Sequence, residues 1–152
     1  MDAIINEYKK HGVDGFYKLH SQDYENPHKS TIENLLTEAK TEWNINGNIL
    51  DLCCGSGEVS NMFSECSVEG IDPYTKGLYE KNTGNSCIPM TFKDIVQNGI
   101  GKRYDFVICS YAMHLCEKCF QWLFTELVKS AIIWSLSHLI RNPIVMETSL
   151  EK

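Results

Sequence analysis

The feature that most constrains this chain is a short apolar run that ends in a glycine turn, Asn48-Ile49-Leu50-Asp51-Leu52-Cys53-Cys54-Gly55-Ser56-Gly57-Glu58. The run has the length of a buried strand, and the polar sequence after it can start a helix. Gly55 and Gly57 let the backbone turn tightly and bring its N–H groups close to a ligand, because glycine has no Cβ to hold one off. Asp51 lies just ahead of this turn and Glu58 just after it. What the loop binds decides most of what the chain can do.

The sequence around it alternates. Residues 1–24 predict one or two short helices, with Ile4, Ile5 and Tyr8 at helical spacing and Gly12 as a stop. Gly12 to Tyr17 then reads as a turn, with Phe16 and Tyr17 assigned to the core. Asn26 is expected to cap a helix whose first position is Pro27, since the N–H that proline lacks would be unpaired there anyway. Ile32, Leu35, Leu36, Ala39 and Trp43 share one face of that helix, and Gly47 ends it. Strands are expected at 48–52, 67–71, 87–91, 104–110 and 130–136, with helices near 58–65, 76–82 and 116–129 between them. Pro89 cannot donate to a central ladder, which sends the third strand to a sheet edge. In the last helix Phe120, Trp122 and Phe124 are read as part of an apolar side rather than a stacking platform. This rhythm predicts an α/β fold, a doubly wound and mostly parallel sheet with helices on both faces.

At 152 residues the chain fits a single domain. We divide it into a helical lid or cap over 1–44, a core over 45–136 and a short tail over 137–152. A net charge of −6 without a basic cluster disfavours a nucleic-acid partner, because phosphate attraction supplies most non-specific affinity. Glu126, Lys129 and His138 interrupt the most apolar region, arguing against a membrane span. The N-terminus lacks a basic stretch followed by an apolar run, so a cytoplasmic protein is expected. Seven cysteines, an odd number, fit reduced thiols better than a disulfide framework. Cys116-Glu117-Lys118-Cys119 offers only half of a structural zinc site, which needs four ligands, so no metal is expected.

In a doubly wound sheet, ligands sit at the carboxyl ends of the strands, where the strand order reverses. Asp51, Asp72 and Asp94 all fall at such positions. A dinucleotide would require a third glycine in the loop, and Glu58, Val59 and Ser60 follow Gly57 instead. The flanking acids suit a ligand with a cationic centre and no phosphate.

Leu50-Asp51-Leu52-Cys53-Cys54-Gly55-Ser56-Gly57 resembles the first motif of class I, Rossmann-like S-adenosylmethionine-dependent methyltransferases. Gly70-Ile71-Asp72-Pro73 resembles the place where that family's acid holds both ribose hydroxyls, and Phe92-Lys93-Asp94-Ile95 the later acid that meets the adenine amino group. Tyr104 to Ser110 resembles the fourth strand, whose end, with Tyr111, lies beside the methionine and the substrate. The likeness spans residues 45–136 in order. Tyr24 to His28, with Ile108 to Cys116, is also similar to small methyltransferase-like proteins of fungi and protists.

The resemblance implies S-adenosyl-L-methionine as cofactor, held by Asp51, Cys53, Gly55, Gly57, Asp72, Pro73, Lys93, Asp94, Ser110, Tyr111 and Tyr24. Asp51 either orients the loop through backbone N–H groups or reaches the methionine ammonium. Asp72 has a strand-end turn as its alternative role, and Asp94 a helix cap over Ile95–Asn98. His114 and His28 are the candidate bases, each with a packing alternative, and Tyr24 and His28 could belong to a lid.

Two departures stand out. Cys53 takes a position where the family often has glycine. The stretch after the fifth strand is too short for the family's sixth and seventh strands, so either the chain is truncated or those strands are lost, and their loss would expose the fifth strand's edge to a second copy or a partner chain. The expected activity is methyl transfer to a small molecule or protein, the alternative a non-catalytic binding module acting through a partner.

Overall fold

A computed structural model describes residues 2–116, 120–130 and 132–135. Helix α1, Asp2–His20, bends at Gly12, whose φ of 70° is open to glycine, and then resumes. The expected stop is therefore a kink, and the expected turn through Tyr17 is helical.

Helix α2, Lys29–Glu42, starts later than expected, with His28 at the N-cap. Asn26 caps a turn instead: its Oδ1 accepts the His28 N–H at 2.9 Å, one step before the helix. Ile32, Leu36 and Ala39 form the buried face of α2 as the spacing required.

Strand β1, Asn48–Leu52, has the expected bounds, followed by α3, Glu58–Met62, and β2, Ser67–Ile71. Next come α4, Lys76–Thr83, a two-residue β3 at Cys87–Ile88, and α5, Phe92–Asn98. Strand β4, Phe106–Cys109, leads through a 3-10 turn at Met113–Leu115 to α6, Phe120–Ser130, and β5, Ile132–Ser135. The strands are parallel in the order β3-β2-β1-β4-β5. The order reverses beside β1, between β2 and β4. Strand β3 is an edge, as Pro89 required. The expected loss of strands six and seven falls on residues outside those described.

Alternation along β1 divides the core. Ile49 faces a cluster with Ile32, Leu36, Val59, Phe63 and Val68, the layer of α2 and α3. Leu50 and Leu52 face the other side, with Ile71, Ile95, Val107, Leu123 and Leu127, the layer of α5 and α6. Helix α2 thus belongs to a sheet face, packed with Ile49, Val59 and Phe63. Trp122 departs from expectation: it is 68% exposed, out of phase with Leu123 and Leu127. Cys53, Cys54, Cys66, Cys87 and Cys109 are free thiols. Cys116 is disulfide-bonded, which corrects the expectation of reduced thiols throughout.

Candidate functional site

The glycine loop is built from its own backbone. The N–H groups of Cys53 and Cys54 both donate to the Ile71 carbonyl, at 2.7 and 3.2 Å, tying the end of β1 to β2. Cys53 sits in the left-handed region at φ 60°, a conformation that favours glycine. That explains why glycine suits this position, which cysteine here occupies with its N–H bonded to Ile71. Gly55 has φ 51°, in the left-handed region that favours glycine, and a Cβ there would lie 3.3 Å from the Tyr24 ring, a tight contact.

The acids at the ends of β1 and β2 divide their labour. Asp51 is fully buried, and its Oδ2 accepts from the backbone N–H and hydroxyl of Ser60, at 3.2 and 2.7 Å. The Ser60 hydroxyl in turn meets Tyr79 at 2.7 Å. Burial first, and then the negative charge of Glu58, pushes the Asp51 carboxyl up to about 7 against these hydrogen bonds. Asp51 does not line the cavity described below. Its hydrogen bonds run to Ser60 in α3, the helix that follows the loop.

Asp72 does line that cavity. Its Oδ1 accepts from the N–H groups of Tyr74 and Thr75 at 2.8 and 3.1 Å, and its Oδ2 from Gly55 at 3.3 Å. Backbone donors thus aim one carboxylate and clamp the glycine loop to the second strand end.

A cavity of about 480 Å³ opens where the strand order reverses, at the carboxyl ends of β1, β2 and β4. Leu52, Ile71, Met90, Phe92 and Ile95 make an apolar side, while Cys53, Gly55, Asp72 and Pro73 line the loop side. Ser110 and Tyr111 enter from the end of β4, with Leu115 from the 3-10 turn. Tyr111 has φ 56°, an uncommon conformation for an aromatic residue, and its ring stacks on His28 with centroids 4.3 Å apart and planes 9° from parallel.

Residues before α2 cover the cavity. Tyr17 stacks on Tyr74 at 5.2 Å, nearly parallel, and meets Tyr24 at 5.4 Å. The Tyr74 hydroxyl donates to Asp14. Burial first, then that carboxylate, pushes the Tyr74 phenol up.

Of the residues named from sequence, Cys53, Gly55, Asp72, Pro73, Ser110, Tyr111, Tyr24 and His28 line this one cavity. Gly57 stands behind it as the left-handed N-cap of α3. Lys93 and Asp94 do not line it. Asp94 instead completes a capping box with Thr91, accepting from its N–H and hydroxyl at 2.8 and 2.6 Å. These hydrogen bonds hold its carboxyl below the usual range. His114 lies on the 3-10 turn after β4. The sequence reading missed Asp14 and Tyr74 and assigned Tyr17 to the core. The available signal was an aromatic residue two positions after Asp72.

The fold can be compared with known proteins on this basis. The N-methyltransferase NodS of Bradyrhizobium japonicum, in complex with S-adenosyl-L-homocysteine, superposes with a TM-score of 0.58 at 15% identity, covering 70% of this chain and 58% of NodS. The chain has the class I methyltransferase fold. Magnesium protoporphyrin IX methyltransferase of Synechocystis, with bound S-adenosylmethionine, matches this methyltransferase fold at 0.56 and 19% identity, over 85% of this chain and 71% of that one. A S-adenosylmethionine-dependent methyltransferase of Clostridium acetobutylicum gives 0.56 at 13%, over 86% and 52%. In sequence, an uncharacterised protein of Schizosaccharomyces pombe is 28% identical over an alignment that covers 68% of this chain. The chain spans 61% of that relative's length. No family model matches it. No helix among the described residues is long and apolar enough to cross a membrane.

Proposed function

We propose that this protein is a S-adenosylmethionine-dependent methyltransferase acting on a small molecule or a protein side chain. The observation that carries the reading is convergence: the glycine loop, Asp72 and the end of β4 meet around one cavity of about 480 Å³. That volume lies in the usual range for small-molecule and cofactor sites, roughly 300–1,000 Å³. The bound S-adenosyl groups of the structural neighbours support the same ligand here.

The residues fit that ligand. Asp72, aimed by three backbone N–H groups, would accept from the ribose hydroxyls with its remaining lone pairs. Met90, Phe92 and Ile95 offer the adenine an apolar slot, and Gly55 and Cys53 admit the methionine part. Bound there, the cofactor supplies a methyl group on a positively charged sulfur.

The protein's own contribution is position. Ser110 and Tyr111 border the end where an acceptor would approach, and Tyr24, packed against the loop at Gly55, would help to keep water out. Alignment of nucleophile and methyl carbon is the main catalytic term, and a base is required only where the acceptor keeps its proton. His28, held flat against Tyr111, is our candidate for that proton, with His114 as the second.

The described lining contains Asp14 and Asp72 and no lysine or arginine. This supports an uncharged or cationic acceptor over a phosphate-bearing one. The five free thiols support a reducing, cytoplasmic setting, with Cys116 as the exception.

The test is a turnover screen that follows S-adenosylhomocysteine release with amines, thiols, phenols, carboxylates and short peptides as acceptors. We expect release above the acceptor-free rate with at least one uncharged or cationic acceptor. Binding of the cofactor with no release for any acceptor would contradict the proposal.

A further inference from the structure

Beneath the glycine loop lies a second chemistry that methyl transfer does not use. Cys54, in the loop, and Cys87, on the edge strand β3, bring their sulfurs within 3.7 Å of each other. Both are free thiols and both are buried, at 4% and 2% exposure. With Tyr79 they form a small cluster of their own, apart from the two main cores. Gly70 makes room for it: a Cβ there would lie 2.6 Å from the Cys54 sulfur and 2.7 Å from Tyr79 Cζ.

We propose that Cys54 and Cys87 are an oxidisable dithiol, a covalent modification site under the cofactor loop whose reactant is a hydroperoxide. The two sulfurs differ in a way that assigns their roles. The hydrogen bond with Cys54 holds the Cys87 thiol below its ordinary range, helped by the Lys76 ammonium, whose Nζ also donates to the Cys87 carbonyl at 2.8 Å. Burial pushes the Cys54 thiol up and keeps its proton on. Cys87 lies on the two-residue edge strand with the Lys76 ammonium beside it, a positive charge that favours its thiolate, the nucleophile in such chemistry, so Cys87 attacks and Cys54 resolves.

In the first step the Cys87 sulfur attacks one peroxide oxygen and the O–O bond breaks. The other oxygen leaves with the thiol's proton as an alcohol, or as water if the reactant is hydrogen peroxide. Cys87 is now a sulfenic acid. The Cys54 sulfur then attacks the Cys87 sulfur, the S–O bond breaks, and hydroxide leaves with the Cys54 proton as water. Two thiols have lost two electrons, and one hydroperoxide has been reduced.

The consequence for the loop is mechanical. A disulfide has its sulfurs at about 2.05 Å, so closing the gap requires a movement of about 1.6 Å. The Cys54 sulfur already fills the space left by Gly70, so the motion falls on the loop and on two-residue β3. Cys54 is next to Gly55, whose N–H binds the Asp72 carboxylate at 3.3 Å, and its own N–H is held by Ile71. Oxidation therefore reaches the two groups assigned to the cofactor. This last link rests on the proposed function, whereas the crosslink itself does not.

The experiment treats the reduced, full-length chain with hydrogen peroxide and maps disulfides by proteolysis and mass spectrometry. S-adenosylhomocysteine binding is measured before oxidation, after it, and after re-reduction. We expect a Cys54–Cys87 crosslinked peptide, lighter by about 2 Da than its two thiols. Affinity should fall roughly tenfold or more, since an ångström-scale misplacement of a positioned group is costly. Re-reduction should restore it.

Cys87→Ser should lose both the crosslink and the oxidative drop in affinity, while Cys54→Ser should trap sulfenic acid at Cys87. Cys87→Ala serves in its place if the buried hydroxyl unfolds the protein, and Cys66→Ser should behave as the parent does. Absence of the crosslinked peptide from folded, peroxide-treated protein would overturn the proposal. A crosslink with unchanged affinity would overturn the coupling. Failure of reduced protein to bind the ligand would count against the methyltransferase reading, with the crosslink still read by mass.

Discussion

The floor and the cover of the cavity are held by different forces. The floor, where β1 and β2 end, is fixed by backbone hydrogen bonds and buried carboxylates: Cys53 and Cys54 to Ile71, Asp51 to Ser60, and Asp72 to Gly55, Tyr74 and Thr75. The described cover rests on tyrosine stacking, the contact of Tyr24 with the loop, and the bond from Tyr74 to Asp14. A floor of that kind is preorganised and changes only by breaking several bonds together. Aromatic stacks contribute only about 0.5–1.5 kcal/mol each beyond their buried area, so the cover can separate at modest cost. Under the proposed function, this contrast would hold the cofactor's contacts rigid while the cover opens to exchange ligands.

If this contrast is right, substitutions in the floor cost more than those in the cover. The largest effect is expected at Asp72→Ala, which removes a charged acceptor and the clamp on Gly55. It should weaken S-adenosylhomocysteine binding by about 2–4 kcal/mol, roughly 30- to 1,000-fold, measured by calorimetry on protein shown to be folded. A loss below threefold would move the floor's anchor elsewhere.

Asp51 should report through pH. Its folded carboxyl titrates near 7 against an ordinary value of 3.8, so the folded state keeps a proton that the unfolded state has released. Its contribution to stability is full below about pH 4 and is lost as pH rises through 7. Asp51→Asn removes this dependence. Urea unfolding from pH 5 to 8 should therefore show the parent losing stability relative to the variant up to about pH 7, with the gap constant above it. Parallel curves across that range would contradict the burial argument.

The cover should respond more weakly. Tyr17→Ala removes a ring that stacks on Tyr74 and packs on Tyr24, and should cost about 1 kcal/mol in ligand affinity, roughly fivefold, mainly through faster release. Stopped-flow dissociation checks it. Tyr74→Phe, which keeps the stack and loses only the bond to Asp14, should cost about two- to threefold. If either variant were as damaging as Asp72→Ala, the distinction between floor and cover would fail.

The floor was far more legible in the sequence than the cover, for the same reason. Strand β1 is a short apolar run closed by a glycine turn, and β2 sets Val68 and Ile71 ahead of Asp72-Pro73, so their punctuation is local and the sequence marks their bounds to the residue. The acids at their ends follow from strand geometry. The cover depends on pairs such as Tyr74 and Asp14, 60 positions apart, which no local pattern joins. Gly12 reads as a stop because a left-handed glycine usually ends a helix, yet a single kinked residue lets α1 continue. Asn26 misled differently: an asparagine that closes a turn and one that caps a helix use the same side-chain oxygen. Thr91-x-x-Asp94 carries capping-box spacing, which explains why an acid at the expected adenine position turns back onto its own helix. The pairing of Cys54 with Cys87 required the parallel neighbour β3, whose placement only the sheet order supplies.

The central claim is that this floor is an S-adenosyl site, and titration calorimetry of the folded, reduced chain with S-adenosylhomocysteine tests it most directly. The account predicts saturable heat at one ligand per chain, abolished or strongly reduced by Asp72→Ala. No heat with either S-adenosylhomocysteine or S-adenosylmethionine, at several temperatures and on folded protein, would contradict it.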